Sequence, residues 1–495
     1  MLRVALTSLI VSLAGFPPTF AEPPLVPESA PPITTPADPP STQTAESRKD
    51  AKGKDEKGKD EKDKDEKGKD EKGKDEKREG DKAKKDGSKD ESKEKDDSKE
   101  SALSPLEKFL KPSFRIRGLI ESEAVMAAQS AQSKATIGDL QNGYGFRRVR
   151  LGAQGNIGDS SRWVSELEFV GGGVQLLDVF VGLTAIPYVR EIRVGHFREP
   201  FSLEGATGVP FVTFLERSPL NELDPARNWG VAGYWWPENE RTEFALGVYR
   251  NGTTNGGQSL GDEDTWSYTA RLTGLPIYNP DDCAFRLLHL GMALSYRNPS
   301  NGVVVFNPGT PPSLLAVVDN PDTPFLPSVI IPANSQQLYN LQAAYVDGPF
   351  SLQSEWFATA IQQTNAGVGF IHGLYLQVSY FLTGEHRGYD LTRGSFGQVK
   401  VLRPMIRSLE YSGSGYGALE LAARYSYFDF SSPNLPLAND GSSSRAILNQ
   451  LELGVNWYLN SYTRLIFNYT LPVVDRLNRD TTSAHVFGLR AAIYW

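Results

Sequence analysis

The chain has 495 residues, 39% of them hydrophobic and 23% charged, with a formal net charge of −8. One cysteine, Cys283, excludes a disulfide framework within the chain and zinc sites built on several cysteines. Beyond the N-terminus no apolar run has the length of a membrane-crossing helix, and the mild acidity offers nucleic acid no basic face.

Residues 1–21 read as an export signal. Arg3 supplies the positive start, VALTSLIVSLAG the short apolar core, and Thr19 and Ala21 the small residues before a cleavage point at Glu22. The mature chain is then expected to leave the cytoplasm. Residues 22–48 form a Pro-rich, extended linker. Residues 49–112 are a low-complexity Lys/Asp/Glu segment in which GKDEK recurs. Without apolar surface to offset the entropy of ordering, this segment is expected to stay disordered in the periplasm. Its Lys and Glu content leaves transient helix or a coiled coil open, while Gly53, Gly58, Gly68 and Gly73 oppose a long stable helix. It reads as a solvating spacer, or as a contact to the cell wall through residues 49–100. Residues 1–100 hold 22 basic and 25 acidic side chains, leaving 30 and 35 for the rest. Only four of those 30 bases are lysines: Lys108, Lys111, Lys134 and Lys400.

From residue 113 to the end the pattern has period two. Phe114, Ile116 and Ile120 alternate with Arg115, Arg117, Glu121 and Glu123. In GFRRVRLGAQGNIG (145–158), Val149, Leu151, Ala153 and Ile157 oppose Arg148, Arg150, Gln154 and Asn156. Trp163, Leu167 and Phe169 oppose Glu166 and Glu168; Phe244, Leu246 and Val248 oppose Glu243, Gly247 and Tyr249. The alternation continues with Arg271, Glu420, Arg424, Glu452, Arg464 and Arg490 on the polar row. Such persistence predicts half-buried strands separated by turn-rich loops.

A soluble sandwich and a membrane barrel both satisfy this pattern, and three features favour the barrel. Segments of about ten residues match tilted bilayer-crossing strands. Trp163, Trp266, Trp457, Tyr425 and Tyr427 lie near strand ends, where interfacial girdles form. Trp495 ends the chain on the apolar row. The length suits about sixteen strands, closed into a transmembrane antiparallel β-barrel without free edges. The arginines must then line the lumen, because one at the lipid-facing midplane costs about 2–4 kcal/mol.

Three segments, GHFREPFS (Gly195–Ser202), TFLERS (Thr213–Ser218) and RNWGV (Arg227–Val231), resemble the phosphate-selective porin O and P family. Tyr375–Asp390, Gly417–Asp429 and Gly454–Asn460 are similar to its C-terminal signatures, so the resemblance covers about Phe114 to Trp495. It implies a sixteen-stranded outer-membrane barrel, usually a homotrimer surrounded by outer-membrane lipid, with a loop folded into each pore. It also implies anion passage over arginines, with lysines gathering anions at the openings. Phe197–Asn228 is the expected constricting loop, with Arg198, Glu204, Glu216, Arg217 and Arg227 as its candidate residues beside Glu199, Glu222 and Asp224.

From the alternation itself, Arg115, Arg117, Arg148 and Arg150 are the candidate anion contacts of the wall. The competing reading pairs them with Glu121, Glu123, Glu166 or Glu168 across neighbouring strands. In the loop, Glu216 and Arg217 are expected to hold it to the wall, and Arg227 either reaches the constriction or pairs with Asp224. His196 falls on the lipid-facing register. The scarcity of lysine and the glutamates on the polar row point to a general porin as much as to a phosphate-selective one.

The expected function is passive diffusion of small anions, including phosphate or polyphosphate, or of general hydrophilic solutes. The alternative is a structural or adhesive barrel tethered to the cell wall. No enzyme is expected: His289 and Ser295 share a strand face but lie too far apart to bond directly. The five histidines have no metal-ligand spacing, so no metal or cofactor is expected, and no nucleic-acid partner.

Overall fold

The computed structural model describes residues 113–495, apart from 185, 251–264, 282–283, 307–325, 327, 408–412, 439–440, 442 and 478. The expected signal, linker, charged segment and Cys283 lie outside the described residues. Nineteen strands follow in order. The first nine are β1 (Arg115–Gln129), β2 (Gly143–Ile157), β3 (Ser161–Glu168), β4 (Gln175–Leu183), β5 (Glu191–Arg198), β6 (Arg227–Trp235), β7 (Thr242–Arg250), β8 (Trp266–Asn279) and β9 (Arg286–Arg297). Then come β10 (Val303–Phe306), β11 (Val329–Asp347), β12 (Phe350–Gln363), β13 (Gly369–Phe381), β14 (Gly388–Asp390) and β15 (Ser395–Gly397). The chain closes with β16 (Ala418–Asp429), β17 (Ala446–Asn460), β18 (Thr463–Arg476) and β19 (Thr482–Tyr494). Helix α1 (Ala131–Ile137) follows β1, and a single turn, α2 (Leu203–Ala206), lies between β5 and β6.

Sixteen of these strands form a closed antiparallel barrel in which each pairs with the next, and β19 returns to β1 with Leu119 opposite Tyr494. The short β10 adds to one end of β11, and β14 and β15 make a separate hairpin. Closure leaves the sixteen barrel strands no free ladder edge among the described residues, the condition for a sheet to survive in hydrocarbon.

The period-two reading sets the inside and outside of this wall. Phe244, Leu246 and Val248 are exposed on the outer surface, while Glu243 between them and the chain before is buried. Glu121, Glu123, Glu168, Glu420, Arg424, Arg464 and Arg490 all turn inward and are buried. Outer positions carry Trp229, Trp235, Tyr268, Tyr296, Tyr425 and Trp457, aromatic rings suited to headgroup depth.

Two places depart from strict alternation. In β2 the pairing shifts so that Glu121 stands opposite Arg148 but Ser122 opposite Phe146, leaving Arg147 as the extra residue of a β-bulge. The bulge turns Arg147 and Arg148 both inward. His196, expected on the lipid side, is instead 4% exposed, with Nδ1 2.6 Å from the Leu177 carbonyl oxygen. The preceding Gly195 has φ 141°, a conformation open to glycine, and a β-carbon there would collide with the backbone of Val179 and Phe180. That close approach of β5 to β4 is what takes His196 out of the outer row.

Candidate pore constriction

The segment between β5 and β6 runs into the barrel and is fastened to its far wall. Ser202 caps α2 by accepting from the Gly205 N–H at 2.9 Å. The next free amides, of Leu203 and Glu204, donate to the Glu355 carboxylate on β12 at 2.7 and 2.8 Å. Tyr375 donates to that same carboxylate at 2.6 Å, and Asn340 at 3.2 Å. Glu204 in turn pairs with Arg424 of β16 at 2.8 Å and accepts from the Ser218 N–H at 2.9 Å.

The tip hands its carbonyls to inward side chains one after another. Arg464 donates to Val212, Asn456 to Thr213 and Arg424 to Glu216, each at 2.9 Å, and Arg490 donates to Leu215. Loop backbone taken into a lumen needs such partners, since each unmade bond costs free energy. Apolar side chains fill the gaps between these bonds. Phe214 lies beneath the Arg424 guanidinium at 4.5 Å, and a β-carbon at Gly454 would stand 3.2 Å from its ring. Gly373 and Gly488 likewise leave room for Leu220 and Leu215.

Glu216 is the node of this fastening. Its carboxylate takes Arg147 at 2.7 Å, Arg148 at 2.6 Å and Arg490 at 2.6 Å. Arg148 also binds Glu121 at 2.6 Å, and Arg490 binds Glu123, so β1, β2 and β19 are joined at the barrel's closing seam. Burial works to raise the Glu216 pKa, but the three guanidiniums outweigh it and hold the group well below the usual carboxylate range.

With the loop drawn to one side, a cavity of about 290 Å³ remains on the other, between the loop and the wall from β1 to β8. Nine arginines line it against four acidic side chains, Glu166, Asp178, Glu199 and Glu243. From the strands come Arg117, Arg150, Arg162, Arg193 and Arg271; Arg198, Arg217 and Arg227 belong to the loop and its flanks; Arg393 is carried in by the β14–β15 hairpin. Most are partly neutralised: Arg117 by Glu166 at 2.6 Å, Arg150 by Glu168 at 2.7 Å, Arg198 by Asp224 at 2.6 Å and Arg227 by Asp178 at 3.0 Å. Arg162 and Arg193 share Glu191, each at 2.8 Å. Arg217 has no carboxylate partner among the described residues; its Nε and Nη2 donate to the carbonyls of Glu204 and Thr207 at 2.9 and 2.8 Å. Burial and the like charge of Arg198 push Arg217 down to about 9, which leaves it cationic at neutral pH.

The wall candidates thus separate. Arg117 and Arg150 line the cavity, Arg148 is buried under the loop, and Arg115 is exposed outside the lining. Of the loop candidates, Arg198, Arg217 and Arg227 face the cavity, whereas Glu204 and Glu216 face the fastened side. Arg227 takes Asp178 as its partner, and Asp224 goes to Arg198. Among the residues not singled out from sequence, Arg271, Arg424, Arg464 and Arg490 already stood on the polar row. Arg147 falls toward lipid when period two is carried back from Arg148; its signal is the change of phase that puts Phe146 on the polar row.

A closed barrel narrowed by an inward loop carrying the TFLERS segment fits the family model for phosphate-selective porin O and P, which matches residues 128–495. The chain belongs to that family. This porin is 28% identical over 327 residues to an uncharacterized protein of Caulobacter vibrioides, covering 64% of this chain and 61% of that one. It is 25% identical over 308 residues to Porin O of Pseudomonas aeruginosa, covering 58% of this chain and 66% of that one. Against both relatives the porin spans less than two thirds of their length. Among solved structures it is similar to the loop L8 deletion mutant of OmpT of Vibrio cholerae, at 14% identity and a TM-score of 0.46, over 78% of this chain and 99% of that one. It is also similar to the anion-selective porin from Comamonas acidovorans, at 13% identity and a TM-score of 0.44, over 78% and 100%. Family membership together with the closed barrel supports an outer-membrane location.

Proposed function

We propose that this porin passes small anions by diffusion, with Arg117, Arg150, Arg198, Arg217 and Arg227 as the contacts of its narrowest part. The observation that carries the reading is the excess of guanidiniums over carboxylates along the open side of the loop. A guanidinium keeps its charge at all working pH values and can hold an oxyanion through two parallel bonds. The partial pairing suits conduction, since a contact must release the ion it has taken. Arg148 in this reading anchors the loop, and Arg115 attracts anions at the rim.

Phosphate selectivity is the finer choice and general hydrophilic diffusion the second reading. The second is favoured by one feature: eight of the nine lining arginines have a carboxylate partner. Export through the signal in residues 1–21, a periplasmic charged segment touching the cell wall, and a homotrimer complete the proposal. The OmpT of Vibrio cholerae has been described in a trimer form, which supports the last.

The test is the zero-current potential of the purified protein in a planar bilayer under a potassium chloride gradient. The expected sign is that of an anion-selective channel, with added phosphate reducing the chloride current. A cation-selective potential overturns the reading.

A further inference from the structure

Two stretches of the cavity wall break the rule that lumen-facing positions are polar. On the closing seam Leu119 and Tyr494 stand opposite each other and turn inward, where Val209 and Phe211 of the loop pack on them. The ring of Phe211 meets that of Tyr494 edge-on at 5.5 Å and stays half-exposed to the cavity. Across β4 and β6 a second apolar stretch holds Phe180 and Tyr234, and the Arg193 guanidinium covers their faces at 5.3 and 3.9 Å. Both stretches border the same space as Arg117, Arg150 and Arg217.

A lumen made for a small, strongly hydrated anion gains nothing from such surfaces, because apolar groups cannot replace the water that the ion sheds. Their value lies with a solute that has an apolar body of its own. We infer that the channel favours organic anions in which a carboxylate is carried on an aromatic ring. The carboxylate is drawn to the Nη1 side of Arg217, whose Nε and Nη2 are held by loop carbonyls, and the ring lies on Phe211 and its neighbours in the loop and seam. The inference rests on the anion-channel reading and names its solute class.

The experiment compares acetate with benzoate, which share a headgroup and a charge. Each is added to chloride-conducting channels of the full-length protein, and permeability ratios follow from bi-ionic potentials. Benzoate is expected to halve the chloride current at roughly a tenth of the acetate concentration, as burying an aromatic ring allows. It is also expected to be the more permeant of the two, against its slower diffusion in water. The Phe211→Ser variant should bring the two anions together, while Arg217→Gln should weaken both alike. Equal block by acetate and benzoate in a wild-type channel that prefers anions overturns this inference and leaves the anion reading standing. A wild-type channel that prefers cations removes both. The wild-type comparison decides even where Phe211→Ser fails to assemble.

Discussion

Glu216 carries more of the constriction than any other single side chain, because three guanidiniums converge on one carboxylate. Breaking a buried charge network by removing one member leaves the others uncompensated, at about 3–5 kcal/mol. Glu216→Gln is therefore expected to lower the unfolding temperature of the barrel in detergent and to raise single-channel conductance as the loop loosens. Unchanged conductance would mean that the backbone bonds to Arg464, Asn456 and Arg490 suffice to hold the tip. The pH dependence follows from the same group. Its folded pKa lies below the unfolded one, so its stabilisation is complete above the unfolded value of about 4.3 and is lost as pH falls through the folded value. The share of stability that Glu216 supplies, read as the difference between the parent and Glu216→Gln, should thus stay flat on acidification from neutrality to about pH 5 and be lost only well below that. A transition between pH 7 and 5 would place the controlling group elsewhere.

At the scale of elements, two local devices make the loop fit: the bulge in β2 and the glycines of the opposite wall. Alternation told where Arg148, Arg424, Arg464 and Arg490 point, because lipid on one face and water on the other leave each strand little choice. The same alternation, carried through in a single phase, could not reveal that Arg147 joins them; the signal lies in the phase change from Tyr144 and Phe146 to Val149 and Leu151 across the adjacent Arg147 and Arg148. Nor could it connect Leu215 with Gly488 or Phe214 with Gly454, hundreds of residues apart in the chain, although both glycines stand on the polar row. These glycines lead to a direct prediction. In Gly488→Val the new side chain occupies the place of Leu215, while the β18–β19 and β1–β19 ladders are untouched. The barrel should still assemble and resist heating as the parent does, whereas conductance rises. A variant that fails to insert into membranes would instead make the loop part of the folding core.

On the scale of the whole molecule, the loop divides the lumen into a filled half and an open half. The filled half runs from β12 to β19 and across the closing seam to the bulge of β2, and it uses arginine as a structural cation, with its charges spent on carboxylates or loop carbonyls. The open half, from β1 to β8, lines a cavity with nine arginines, of which eight have a carboxylate partner and Arg217 has loop carbonyls instead. Sequence could supply the inward direction of Arg117, Arg150 and Arg271 on one side and of Arg148, Arg424, Arg464 and Arg490 on the other, but not this division, which depends on which wall the loop leans against. Position, more than charge, should therefore govern selectivity, and a matched pair of substitutions tests it. Arg217→Glu and Arg115→Glu change the formal charge equally, one in the cavity and one at the exposed rim. At the rim, salt screens the charge beyond about 8–10 Å, so the effect should fade as salt approaches 1 M. On the proposed path through the cavity the ion passes the side chain with little water between, and screening does less. Arg217→Glu is expected to lower the anion-to-cation permeability ratio roughly threefold or more, with little dependence on salt. Equal, equally screened shifts from both variants would mean that the path of the ions runs outside the cavity beside the loop.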